Sequence, residues 1–182
     1  MKFSFFKNPL FLFLFKLLGL YIAWYIVYEL WLHPNETIDV IVVKQTLGFS
    51  KKILECLGYD IFTNGNRMLG INNTSGLMMG DNCNGIALFA LFSAFIIAFP
   101  GPVRKKIIFI ILGIISIQLL NVMRVVTLAI IETYSYQLTQ FNHTYTFTVI
   151  IYGYIFLLWI LWVNKFSGTT PKPGRRTPIA HF

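Results

Sequence analysis

Charge is scarce in this chain. Seven acidic and fifteen basic residues among 182 make 12% charged, against about 25% in an average soluble domain. With 56% of the residues apolar, a soluble core has no room for them, and an ordinary water-soluble fold is excluded. Cysteine is nearly absent, limited to Cys56 and Cys83. No cluster has the spacing of a structural zinc site, and no glycine-rich motif is built to cradle phosphate, so neither metal nor cofactor is expected. The alternating ten-residue segments of a membrane barrel are missing as well, which leaves helices as the spanning elements. A continuous basic stripe is also lacking. The net charge of +8 comes from residues at the ends of apolar runs, which argues against nucleic acid as a partner.

Long apolar runs fill most of the sequence, and about 20 residues suffice to cross a hydrocarbon core of about 30 Å as helix. Four runs qualify or nearly so: Pro9 to Leu32, Cys83 to Phe99, Ile107 to Ile131, and Tyr145 to Val163. The first is too long for the core of a cleaved signal and is followed by no small-x-small site, so it reads as a retained helix. The expected fold class is therefore an all-α membrane protein, a bundle of about four transmembrane helices with an extracytoplasmic region between the first two. Residues 1–166 form one domain. The stretch 167–182, with three prolines and two glycines, reads as a disordered cytoplasmic tail.

Lys and Arg set the orientation. Lys2 and Lys7 precede the first run, Arg104, Lys105 and Lys106 separate the second from the third, and Lys165, Lys172, Arg175 and Arg176 follow the fourth. These places should be cytoplasmic, with both termini inside. The connection from Glu132 to Thr144 has no Lys or Arg and should be translocated. The segment from His33 to Asn82 is then also outside. Its Lys44, Lys51, Lys52 and Arg67 oppose that placement, but Glu36, Asp39, Glu55 and Asp60 accompany them. Within it, Ile38 to Leu57 has helical spacing of apolar residues and is expected to lie on the outer membrane face. The stretch from Asn64 to Gly80 should be loop or short hairpin.

Three residues carry most of the chemical interest. Cys83 stands in Gly80-Asp81-Asn82-Cys83-Asn84-Gly85-Ile86. With Asp81 or Asn82 as the N-cap it would occupy the first turn of a helix, where the positive end of the dipole favours a thiolate. Its bland alternative is a disulfide with Cys56, since both are placed outside. Arg124 lies 17 residues beyond Ile107, about 25 Å along a helix and so near the outer surface. Gln118 and Asn121 precede it at intervals of three, forming a polar stripe that should face other helices and not lipid. Its structural alternative is an arginine held by headgroups, or one paired with Glu29 or Glu132. His143 precedes the fourth run on the same side. His33 and His181 are weaker candidates. Three runs alternating in direction bring Cys83, Arg124 and His143 to one end of the bundle, and these residue types suit a nucleophile, an oxyanion donor and a proton-transfer group.

At these residues the chain resembles the exosortase and archaeosortase family of membrane transpeptidases. The resemblance rests on Cys83-Asn84-Gly85-Ile86, on Asn121-Val122-Met123-Arg124-Val125 and on His143, in that order, from about Gly80 to Val163. Larger members have about eight spans, and this chain looks like the short form of the kind found in Bacteroidota. What the resemblance implies is a catalytic triad of Cys83 as nucleophile, Arg124 as oxyanion stabiliser and His143 as general acid and base, supported by Asn121. It also implies a thiol transpeptidase or protease of the bacterial inner (cytoplasmic) membrane, its site facing outside. The implied partners are exported proteins ending in a short motif, a transmembrane helix and a basic tail, together with membrane lipid. Two other readings remain open at this point. One is a non-catalytic assembly or transport subunit with a structural Cys56–Cys83 disulfide. The other is a protease of the same architecture that hydrolyses its substrate.

Overall fold

The computed structural model describes residues 9–32, 34, 37–80 and 83–167. Asp81 and Asn82, the expected caps, lie outside the described residues, as do His33, His181 and all of the expected tail except Ser167.

Three of the four apolar runs form helices long and apolar enough to cross a membrane, at Leu10–Leu32, Val103–Glu132 and Tyr136–Phe166. The first comprises helix α1 (Pro9–Val27) and a π-helical turn over Tyr28–Leu32. Almost its whole surface is exposed, which costs nothing in lipid, since hydrocarbon is as apolar as Leu or Phe. The second run is shorter than expected. Its helix, α3, spans Ile86–Ala98, 13 residues, where the sequence suggests a start at Cys83. Gly85 is the reason: its φ of 89° is a left-handed conformation that an α-helix cannot include and that glycine adopts without steric cost. At the other end Pro100 holds Phe99 in an extended conformation, with ψ of 142°, and the helix stops.

Helix α4 (Val103–Glu132) is the axis of the fold. Its 30 residues reach about 45 Å at 1.5 Å per residue, well beyond a hydrocarbon core of about 30 Å. The half nearer Val103 packs with α3 and with α6 (Phe147–Leu161) around Phe92, Ile96, Ile117, Ile151, Ile155 and Trp162. Gly113 lies directly beneath the Phe92 ring, and a Cβ there would overlap it. Phe13 of α1 meets the Phe95 and Phe99 rings edge-on at 5.4 and 5.6 Å. The half nearer Glu132 is sheathed by α2 (Thr37–Cys56) and by a small sheet, with Val122, Val125, Val126 and Ala129 packed against Val43, Leu47 and Leu54.

The stretch expected as loop or short hairpin, Asn64 to Gly80, holds an antiparallel hairpin that a further strand before it extends into a small sheet. Strands β1 (Ile61–Asn64), β2 (Met68–Ile71) and β3 (Leu77–Met78) pair antiparallel in that order, with Ile61 opposite Ile71 and Met68 opposite Met78. Leu69, Ile71 and Met79 enter the core against α4. Helix α2 matches the helix expected over Ile38 to Leu57, and one of its faces packs on α4. A line of polar contacts that lipid could not supply joins the two. Gln118 Nε2 donates to Thr46 Oγ1 at 2.6 Å, and Ser50 Oγ donates to the Val122 carbonyl at 3.4 Å.

Candidate active site

Cys83 sits in a turn immediately before α3, not within the helix. Its backbone N–H donates to the Gly80 carbonyl at 3.0 Å. Asn84, one residue before the Gly85 N-cap, contributes a side-chain bond there: its Oδ1 accepts from the Ile86 N–H at 2.9 Å, satisfying one of the donors that a helix start leaves free. Left-handed Gly85 then turns the chain into α3, where it packs on Phe89 and on the Asn121 amide. The Cys-Asn-Gly triplet thus has a local physical reason at each position.

Asn121 fixes this turn from α4. Its Nδ2 donates to the carbonyls of Cys83 at 3.3 Å and Asn84 at 3.4 Å. Arg124, three residues further and on the same helix face, brings Nη2 to 3.9 Å from Cys83 Sγ. His143 arrives from a third element. After α5 (Tyr136–Phe141), capped by Ser135 at its start, a π-helical turn over Asn142–Thr146 inserts an extra residue per turn and re-aims the side chains it carries. There His143 Nε2 lies 3.3 Å from Cys83 Sγ. Cys83, Arg124 and His143 are all half-buried. A thiol between an imidazole and a guanidinium can pass its proton to the ring and be held as thiolate by the cation.

Two alternatives from the sequence, a disulfide at Cys83 and an acidic partner for Arg124, differ from this geometry. Cys56 and Cys83 are both free thiols, and Cys56 is exposed at the end of α2, so the Cys56–Cys83 disulfide is not formed. Among the described residues the salt bridge is Lys51–Glu55 at 3.7 Å. Arg124 is therefore paired with neither Glu29 nor Glu132, and it addresses the thiol. Among the described residues no group of three His, Cys, Asp or Glu could hold a metal ion.

One residue of the site escaped the sequence reading. Asp39 is 1% exposed, and its Oδ1 accepts from the Tyr28 hydroxyl at 2.9 Å and from the Asn84 amide. It ties the π-helical turn after α1 and helix α2 to the residue next to Cys83. A signal for it did exist, because Asp39 falls at helical spacing with Val43, Thr46 and Ser50, the face that α2 buries. Replacing Asp39 with Ala removes the acceptor of the buried Asn84 amide and should lower stability by about 1–3 kcal/mol. Asp39→Asn keeps an acceptor and should recover most of that loss. Thermal unfolding of the two variants in detergent measures the difference.

Two recesses meet at the thiol. A narrow one of about 40 Å³ lies on the sheet side, where Leu77, Met78 and Met79 face Cys83, Arg124 and His143. A wider groove of about 320 Å³ runs between α3 and α6, bordered by Ala87, Leu88, Thr144, Thr148, Ile151 and Tyr152.

Fold and site together define a helical integral membrane protein with a thiol held between a histidine and an arginine at one end of its bundle. Residues 4–163 match the family model of transmembrane exosortases, and the chain belongs to that family. Membership brings a general role in membrane transpeptidation and protein sorting. Among curated proteins and solved structures nothing matches the chain.

Proposed function

We propose that this protein is a cysteine transpeptidase that cleaves C-terminal sorting signals of exported proteins at the outer face of the cytoplasmic membrane. The observation that carries this reading is the convergence on one sulfur of His143 Nε2 at 3.3 Å and Arg124 Nη2 at 3.9 Å. His143 takes the thiol proton, and the Cys83 thiolate adds to the carbonyl carbon of the scissile peptide. Arg124 stabilises first the thiolate and then the oxyanion formed beside it. The C–N bond breaks as His143 returns its proton to the leaving amine, which departs with the tail helix and leaves the exported protein as a thioester on Cys83. An acceptor nucleophile, deprotonated by His143, attacks the thioester and restores the thiolate. Asn121 and Asn84 hold the Cys83 turn while this happens. The groove between α3 and α6 suits the tail helix of the substrate, since Ala87 permits close approach and Thr144, Thr148 and Tyr152 offer hydrogen bonds within an apolar wall.

The outward orientation of the site rests on the distribution of Lys and Arg. Arg124 is 18 residues from Lys106, about 27 Å of helix and nearly a full hydrocarbon thickness. Reporter fusions after Lys106 and at Phe182 should read cytoplasmic, and one near Gln140 external. An external reading at Lys106 would place Cys83 on the cytoplasmic side and contradict the proposal. The mass of the released exported protein then separates transfer, which adds the acceptor, from hydrolysis, which adds water.

A further inference from the structure

The substrate must present a carbonyl that is free to be attacked. Inside a helix each carbonyl is already bonded to an N–H one turn on, and the recess on the sheet side of Cys83, about 40 Å³, is too narrow for a helix about 10 Å across. The reacting segment is therefore extended, and an extended segment needs partners for its own backbone.

Strand β3 offers them. The Met79 N–H donates to the Arg67 carbonyl at 2.8 Å, and Leu77 stands opposite Leu69. In an antiparallel ladder the hydrogen-bonded pairs alternate, so residues 77 and 79 turn their backbone groups towards β2 and Met78 turns its N–H and C=O the other way. β3 is the last strand of the sheet, and no described backbone group pairs with that edge of Met78. The Met78 side chain is 78% exposed, whereas Met79 is buried in the core beneath it. Edge strands are commonly guarded by lysine or proline, and Leu77, Met78 and Met79 include neither. Leu77, Met78 and Met79 line the recess that contains Cys83, Arg124 and His143.

We propose that the substrate segment preceding the scissile bond binds as an added strand on the free edge of β3, its backbone paired with Met78, so that its next carbonyls pass beside Cys83. This rests on the transpeptidase reading and gives the substrate its direction: an extended arm on the sheet, the scissile bond at Cys83, and the tail helix between α3 and α6. Backbone pairing supplies affinity in such additions, and the pockets for alternate side chains supply selectivity.

The test uses the full chain in membranes with an exported reporter. The reporter ends in the C-terminal segment of a protein from the same genome that carries an apolar helix and a basic tail. Met78→Pro and Met78→Ala lack the same side chain, and only proline also lacks the N–H. Processing by Met78→Pro should fall about tenfold or more below that of Met78→Ala, the effect of a lost hydrogen bond. Equal processing by the two would overturn the proposal. Should Met78→Pro fail to fold, seen as loss of Cys83 labelling by a thiol probe, cross-linking decides. Met78→Cys in a Cys56→Ser, Cys83→Ala background is paired with reporters carrying single cysteines along the segment before the helix. Cross-link yield should alternate with a period of two residues. A helical period, a flat profile or no cross-link would overturn the added strand. So would a disulfide-linked dimer of the Met78→Cys chain formed in place of cross-links to the reporter. The cross-links form without turnover, so their failure is distinguishable from failure of the transpeptidase reading, which would appear as continued processing by Cys83→Ala.

Discussion

Cys83→Ala should abolish processing of the sorting signal while the protein accumulates normally in the membrane. Nucleophiles in comparable triads contribute on the order of 10⁶ to turnover, and no other thiol stands at this site. Cys83 is half-buried in a turn held by backbone bonds and by Asn121, so loss of its sulfur leaves the turn in place. Cys56→Ser should behave like the parent, because that thiol is exposed at the end of α2. The contrast between the two variants is the informative part. Were the cysteines bridged, both substitutions would lower stability, by about 2–4 kcal/mol, and the variants would resemble each other. Processing assays and membrane levels, measured side by side, separate these outcomes.

Arg124→Lys should lower turnover by roughly 100-fold to 1,000-fold, as for loss of an oxyanion donor, with the protein still inserted. Lysine retains the positive charge, but its ammonium is a single point on a flexible stem. The guanidinium of Arg124 reaches Cys83 Sγ from α4 at 3.9 Å, and in the proposed mechanism its further donors, fixed in one plane, meet the oxygen forming next to that sulfur. Charge alone does not reproduce that geometry. Turnover near the parent value in the lysine variant would assign Arg124 to holding the bundle together. Single-turnover rates in membranes give the measurement.

The helices were legible because a bilayer imposes a simple demand. Uniform apolarity over about 20 residues is readable without knowing what packs against what, and the apolar parts of Leu10–Leu32, Val103–Glu132 and Tyr136–Phe166 follow from it, whereas the helical start of the last at Tyr136, within the connection expected from Glu132 to Thr144, does not. The clustering of Cys83, Arg124 and His143 was legible for a related reason. Alternating spans return residues at matching depth to the same end of the bundle, and the distances of 3.3 and 3.9 Å agree with that placement. What escaped was decided by contacts between distant segments. Asp39 has a partner 45 residues away in Asn84, and its charge in the sequence reads as balance for nearby lysines. Strand β3 is two residues long and exists only because Met68 and Leu69 lie opposite, so no periodicity announces it. The displacement of Cys83 from the helix into the turn before it depends on the left-handed Gly85. Glycine after an asparagine permits that conformation without requiring it.

Covalent capture of the substrate on Cys83 tests the account most directly. Membranes containing the protein and the reporter should yield an adduct joining the exported part of the reporter to this chain. A thioester is cleaved by neutral hydroxylamine, and the modified peptide should contain Cys83. The adduct should be missing in Cys83→Ala. Cleaved reporter from the parent together with an adduct that maps to another residue, or with an adduct that persists in Cys83→Ala, would contradict the assignment of Cys83 as the nucleophile.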